Sequence, residues 1–331
     1  MPFLIIGIAL ILLLTVFYFI LRWAYGKAFA VPARMRTIHY RDSVDLVRDE
    51  VAHDPMMALA EELANAPFER VTVTSHDGLT LVGRYYRNVP DESRLEILFH
   101  GWRSIPTRDG CGGARLARDL GFNQLIVDQR AHGESDGKAL TFGIKERYDC
   151  LDWVNYAVSR FGKDVRILLG GVSMGAATVL MAADLPLPDN VVGITGDCGY
   201  SSPEAIIRKV CVDMGIPARL GYPVVALSAR LFCGVSLKES SAVESVRHAR
   251  VPIMLMHGEE DDFVPYPMAK EIYDACNAPR KRLLSIPRAG HGLSFFYDTE
   301  TYCRELGAFK LSCLSGTWKD DGKQDAQDLD S

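Results

Sequence analysis

The chain has 331 residues, 48% of them hydrophobic and 24% charged, with a formal net charge of −5. That length and apolar content allow one large buried core without disulfides, and they exclude both a disulfide-stapled mini-domain and a chain too polar to fold. The acidic balance argues against a nucleic-acid surface, no Cys or His spacing suggests zinc, and no internal repeat is present.

Pro2 to Leu21 carries no charge, and Thr15 and Tyr18 are its only hydroxyls. At about 1.5 Å per residue this run matches a ~30 Å hydrocarbon core, so it is expected to span a membrane and hold the protein against membrane lipid. A cleavable signal peptide is the rival, since Ala28-Phe29-Ala30 offers a small-x-small site. Against it, no Lys or Arg precedes the run, which also exceeds the usual signal core. Arg22, Lys27, Arg34, Arg36 and Arg41 follow with no acid among them, which predicts a single-pass protein whose main domain faces the cytoplasm. The eight cysteines fit that compartment, because none forms the close-spaced framework of a small secreted domain. Residues 42–66 interleave Val44, Val47, Val51, Met56, Met57, Leu59 and Leu63 with charges and read as a helical connector.

Val71–Thr74 and Leu79–Val82 alternate by two around His76-Asp77-Gly78, a hairpin signal. Further strands are expected to begin near Leu95, Gln124, Val165, Val191, Val251 and Lys281. Helical segments separate them, such as the one marked by Ile144, Tyr148, Leu151, Val154 and Val158. This alternation predicts a mostly parallel α/β sheet with helices on both faces and ligands at the carboxyl ends of its strands. After the Leu95 strand, His100-Gly101-Trp102 lets backbone approach a substrate closely, and His100 is read as a structural anchor for that loop. Gly110-Cys111-Gly112-Gly113 lacks the context of a dinucleotide site and reads as a helix entry.

Leu168 to Ala177 places a buried strand, a Gly-x-Ser-x-Gly turn and a small-residue helix start in succession. That pattern is a nucleophile elbow, in which Gly171 and Gly175 keep backbone clear of an exposed Ser173 hydroxyl. The amides of Trp102 and Met174 are the expected oxyanion donors. A base must lie downstream of both the serine and an acid, and of the later histidines, His248, His257 and His291, only His291 follows the cluster Glu259-Glu260-Asp261-Asp262. The acid stays open between that cluster, beyond the apolar run Pro252–Met256, and Asp197, which closes the run Val191–Thr195. Tyr200 to Val243 holds many apolar residues but no strand, and reads as a short helical cap above the site whose apolar faces line an acyl pocket or pack the cap down.

Together the Ser173 elbow, His100-Gly101-Trp102, the acidic loop and Gly290-His291-Gly292 resemble the α/β-hydrolase superfamily over about Phe68 to Leu314. Asp128-Gln129-Arg130-Ala131-His132-Gly133-Glu134-Ser135 is similar to a loop of its serine aminopeptidase, monoglyceride lipase and membrane-anchored depalmitoylase branch. The resemblance implies that Arg130 and His132 brace the floor beside the site, and His-Gly-x-x-Asp-x-x-Val-Pro points to Asp261 as the acid. It also implies hydrolysis of an ester, thioester or amide, needing no cofactor or metal. The expected layout is an anchor at 1–23, a juxtamembrane helical connector at 24–66 and an α/β-hydrolase domain at 67–314 with its cap at about 201–243. A disordered acidic tail at 315–331 ends the chain. The reading is a membrane-tethered serine hydrolase of a small or single-chain acyl substrate. A peptidase with the same triad, or a non-catalytic acyl-binding protein on the same fold, is the alternative.

Overall fold

The computed structural model describes residues 1–316, so the acidic tail from 317 onward lies outside the described residues. Helix α1 (Pro2–Ala28) does not stop at the expected anchor boundary of residue 23. Nothing breaks the helix before Pro32, and the single Gly26 is tolerated. The connector is helical, in three pieces, α2 (Ala33–Arg36), α3 (Tyr40–Val44) and α4 (His53–Asn65). Between α3 and α4 the Asp49 carboxylate accepts from the amides of Val51 and Ala52, so a side chain takes donors that a continuous helix would use.

Eight strands make one sheet: β1 (Glu69–Thr74), β2 (Thr80–Tyr86), β3 (Arg94–Phe99), β4 (Asn123–Asp128), β5 (Arg166–Val172), β6 (Val191–Asp197), β7 (Ile253–Gly258) and β8 (Lys281–Ile286). Their order is β1-β2-β4-β3-β5-β6-β7-β8, with β1 and β2 antiparallel to their neighbours and the rest parallel. Strand β7 starts two residues later than Val251 because Pro252 has no N–H to give the ladder. Burial on both faces explains the near-continuous apolar strands: in β7, Ile253 and Leu255 enter one core cluster, Met254 and Met256 the other.

Helices fill both faces as the alternation requires. They are α5 (Pro106–Asp109), α6 (Cys111–Asp119), α7 (Glu146–Phe161), α8 (Met174–Met181), α9 (Pro203–Asp213), α10 (Ala218–Ser228), α11 (Ala242–Ser245), α12 (Pro267–Ala275), α13 (Ser294–Tyr297) and α14 (Thr299–Ser315). The glycine-rich run at 110–113 opens α6, a helix entry as expected. The segment 200–243 contains no strand, and α9, α10 and a wide turn at Ala229–Cys233 form its cap. The sheet order reverses direction between β3 and β5, which leaves a crevice beyond their carboxyl ends. The Gly101 loop and Ser173 lie there.

Candidate active site

Ser173 sits between β5 and α8 at φ 55°, ψ −115°, a conformation that a serine holds only where its surroundings fix it. The fixing is visible on both sides. A Cβ on Gly171 would lie 2.2 Å from the Gly175 carbonyl carbon, and one on Gly175 would lie 2.0 Å from the Phe99 carbonyl oxygen. The Ser173 amide donates to the Asp197 carbonyl at 2.8 Å, tying the turn to β6.

From this turn a continuous relay runs outward. Ser173 Oγ is 2.9 Å from His291 Nε2, and His291 Nδ1 is 2.7 Å from Asp261 Oδ2. Asp261 Oδ1 accepts from the amides of Phe263 (3.0 Å) and Val264 (2.8 Å), which aims the other oxygen at the imidazole. Burial alone would push the Asp261 carboxyl up, but hydrogen bonds from His257 and His291 outweigh it and bring it down to about 2.

His257 is the residue that sequence order passed over, because it precedes the acids. It is wholly buried, with Nε2 2.8 Å from the Val264 carbonyl and 3.3 Å from Asp261 Oδ2. Nε2 therefore carries the proton and donates to both, while Nδ1 has no partner among the described residues. Its position at the end of the apolar β7 run was the available signal.

Asp197 is not brought to the imidazole. Its carboxylate accepts instead from Ser294 Oγ (3.2 Å) and Tyr302 Oη (3.0 Å), and burial raises it to about 6. Two donors offset the burial of an ionised carboxylate less than the four that Asp261 meets.

The loop after β3 presses against the elbow: a Cβ on Gly101 would lie 3.2 Å from that of Ser173. His100 holds this loop as expected, accepting from the Gln129 amide at 3.1 Å and donating to the Gly101 carbonyl at 2.8 Å. His132 accepts from the Arg103 amide at 3.1 Å, and burial pushes it down to about 3, so it stays a neutral acceptor. Arg130 pairs with Asp149 and Asp77, so both residues brace the floor rather than face the serine. The Gly101 amide donates to Asp109 and the Ser104 amide to the Gly101 carbonyl. Among the described residues the Trp102 amide has no protein acceptor, and Met174 opens α8, where an amide has no helical carbonyl to bond.

Two cavities meet at Ser173. One, of about 840 Å³, includes Arg48, Asp49, Arg108, Asp109 and Asp262 in its walls. The other, of about 500 Å³, is walled by apolar cap residues, by Phe142 and Tyr200, and by Ile20, Trp23 and Ala28 of α1. The contribution of α1 was not foreseen. Two clusters of metal-ligand type occur among the described residues, Cys198-Asp261-His291 and His76-Asp77-Asp149. In the first, the His291 nitrogens are taken by Ser173 and Asp261 and burial holds the Cys198 thiol protonated; in the second, Arg130 occupies both carboxylates.

A sheet of this order, a serine on a strained strand-to-helix turn and a histidine joining it to a strand-end acid define the α/β-hydrolase class of fold. A family model described as "Alpha/beta hydrolase family" matches residues 97–305, and the chain belongs to that family. Among curated proteins it is similar to the uncharacterized protein YfhR of Escherichia coli (strain K12), 28% identical over 264 residues, 75% of this chain and 82% of that one. It is also similar to the uncharacterized protein YqkD of Bacillus subtilis (strain 168), 26% identical over 59% of this chain; the match spans 64% of YqkD. Among solved structures the Pyrococcus furiosus esterase Pf2001 shares the fold, with a TM-score of 0.62 at 22% identity, covering 75% of this chain and 92% of that one.

Proposed function

We propose that the protein is a membrane-tethered serine hydrolase that cleaves an ester or thioester of a small or single-chain acyl substrate through an acyl-enzyme. The observation that carries this reading is the unbroken relay from Ser173 through His291 to Asp261, at 2.9 and 2.7 Å, where an apolar cavity meets a second one with charged residues in its walls. In the cycle Ser173 Oγ bonds to the acyl carbon as its proton passes to His291 Nε2. His291 returns that proton to the departing alcohol or thiol as the old C–O or C–S bond breaks. Water then adds to the acyl-enzyme with His291 as base, and the carboxylic acid leaves. Asp261 keeps the Nδ1–H tautomer in place. The amides of Trp102 and Met174 serve the oxyanion, where one donor is worth about 3–4 kcal/mol. The apolar cavity takes the acyl chain and the charged one the leaving group. No cofactor enters the cycle.

The test is labelling with a fluorophosphonate probe, expected for wild type and abolished in a folded Ser173→Ala variant. Equal labelling of both would remove the serine assignment, and no labelling of either would favour a non-catalytic acyl-binding protein. A panel of nitrophenyl esters, thioesters and aminoacyl amides should show turnover of the first two; preference for the amides would make the protein a peptidase. A reporter at the carboxyl terminus should read cytoplasm, with full-length chain in the membrane fraction. Processing near Ala30 would refute the anchor.

A further inference from the structure

The apolar cavity is closed on one side by the membrane-span candidate itself. Ile20, Trp23 and Ala28 of α1 line it together with Val224 of α10, Arg103 and Ser173. Helix α1 is held in that place. Arg103 donates to the carbonyls of Gly26 (2.8 Å) and Ala30 (2.5 and 3.0 Å), and Trp102 Nε1 donates to the Ala28 carbonyl at 3.1 Å. The loop that carries Trp102 thus satisfies carbonyls at and just beyond the C-terminus of α1, where a cation is favoured.

The cap also rises alongside the span. Ser228 Oγ donates to the Leu21 carbonyl at 3.0 Å, and the Phe232 ring meets Tyr18 at 6.2 Å, a residue inside the uncharged run. The cap also leaves large apolar side chains uncovered: Leu220, which lines the cavity with Met214, is 61% exposed, and Leu231 in the following turn is 59% exposed. Exposed apolar side chains on a cap that packs beside an uncharged helix fit hydrocarbon better than water.

We infer that α1 is one wall of the acyl site and that the substrate's acyl chain enters sideways from the bilayer, between α1 and the cap helices, to bring its carbonyl to Ser173. The occupant is the single chain of a lipid ester or thioester already dissolved in the membrane. This rests on the hydrolase reading above and adds the source of the substrate and the role of the anchor. Entry from hydrocarbon spares the chain a passage through water, which every additional methylene makes less favourable.

The experiment uses full-length protein in phosphatidylcholine vesicles, with active sites counted by fluorophosphonate. The readout is the ratio of kcat/KM for nitrophenyl dodecanoate to that for nitrophenyl butyrate. Ile20→Trp, which takes up space on the α1 side of the cavity, and Trp23→Ala, which removes one of its lining side chains, should each lower the ratio about tenfold, the factor that roughly two lost methylene contacts make. Leu12→Trp, an exposed position on α1 away from the cavity, should keep the wild-type ratio. An unchanged ratio in Ile20→Trp and Trp23→Ala, or an equal fall in Leu12→Trp, would overturn the inference and leave the hydrolase intact with α1 as a tether. Wild type inert toward both esters would instead overturn the hydrolase reading and the inference with it.

Discussion

Two aspartates stand at the carboxyl ends of neighbouring strands, and their fates diverge. Asp197, the last residue of β6, is enclosed by Tyr302 and Ser294 and raised to about 6. Asp261, three residues past β7, receives two backbone amides and two imidazoles and is lowered to about 2. Both are buried, so depth does not separate them; the donors each one meets do. A loop can curl its own amides around a carboxylate, whereas a residue still inside a strand has committed its backbone to the ladder. The acid that can remain ionised beside a histidine is therefore the one in the loop.

The largest effect that would break this contrast is kinetic. Asp261→Asn should leave the fold intact but lower kcat by up to ~10⁴ through the wrong imidazole tautomer, while Asp197→Asn should cost less than about tenfold. Steady-state turnover of a nitrophenyl ester checks both, and the reverse outcome would move the acid to β6. A stability measurement sharpens the contrast next. The raised Asp197 pKa means stability fully present below about 3.8 and lost as pH rises through about 6. Asp197→Asn removes that loss, so its unfolding free energy should exceed that of wild type at pH 7.5 by on the order of 3 kcal/mol, read as a raised thermal midpoint, with the gap closing by pH 4. Asp261 has the opposite sign, contributing stability above about 3.8 that is lost as pH falls through about 2. The smallest effect concerns His257. His257→Phe withdraws one donor from Asp261, so kcat should fall about tenfold from a less firmly held carboxylate. Acid unfolding followed by circular dichroism should begin at a higher pH than in wild type, because the Asp261 carboxyl then protonates sooner. Wild-type behaviour on both counts would show that the backbone amides alone hold Asp261.

Much of the architecture was legible because local patterns and the final environment agree. The runs at Leu95, Gln124, Val191 and Lys281 are strands within a residue of their expected starts, since a strand buried on both faces must be apolar throughout. The elbow was legible for a stricter reason: Gly171 and Gly175 face backbone at distances no side chain could survive, so their spacing around Ser173 carries the three-dimensional constraint in one dimension. The connector was legible as helical but its break was not, because the Asp49 side chain interrupts it between Val44 and His53. Nor was His257, whose meaning depends on how the loop at 259–264 folds back over it.

What the sequence determined by itself is what short-range rules can encode: an uncharged run long enough to span a bilayer, alternating strands and helices, a serine between obligatory glycines, and the order of serine, acid and histidine. What only the tertiary structure decided is which groups share a site across long separations. Arg103 on the carbonyls at the end of α1, Trp23 lining one cavity with cap residues, and which of Asp197 and Asp261 meets His291 all join residues from different parts of the chain. The physical reason is that burial and hydrogen-bond supply are set by neighbours in space, and a carboxylate or an exposed tryptophan has no role until the fold supplies its partners.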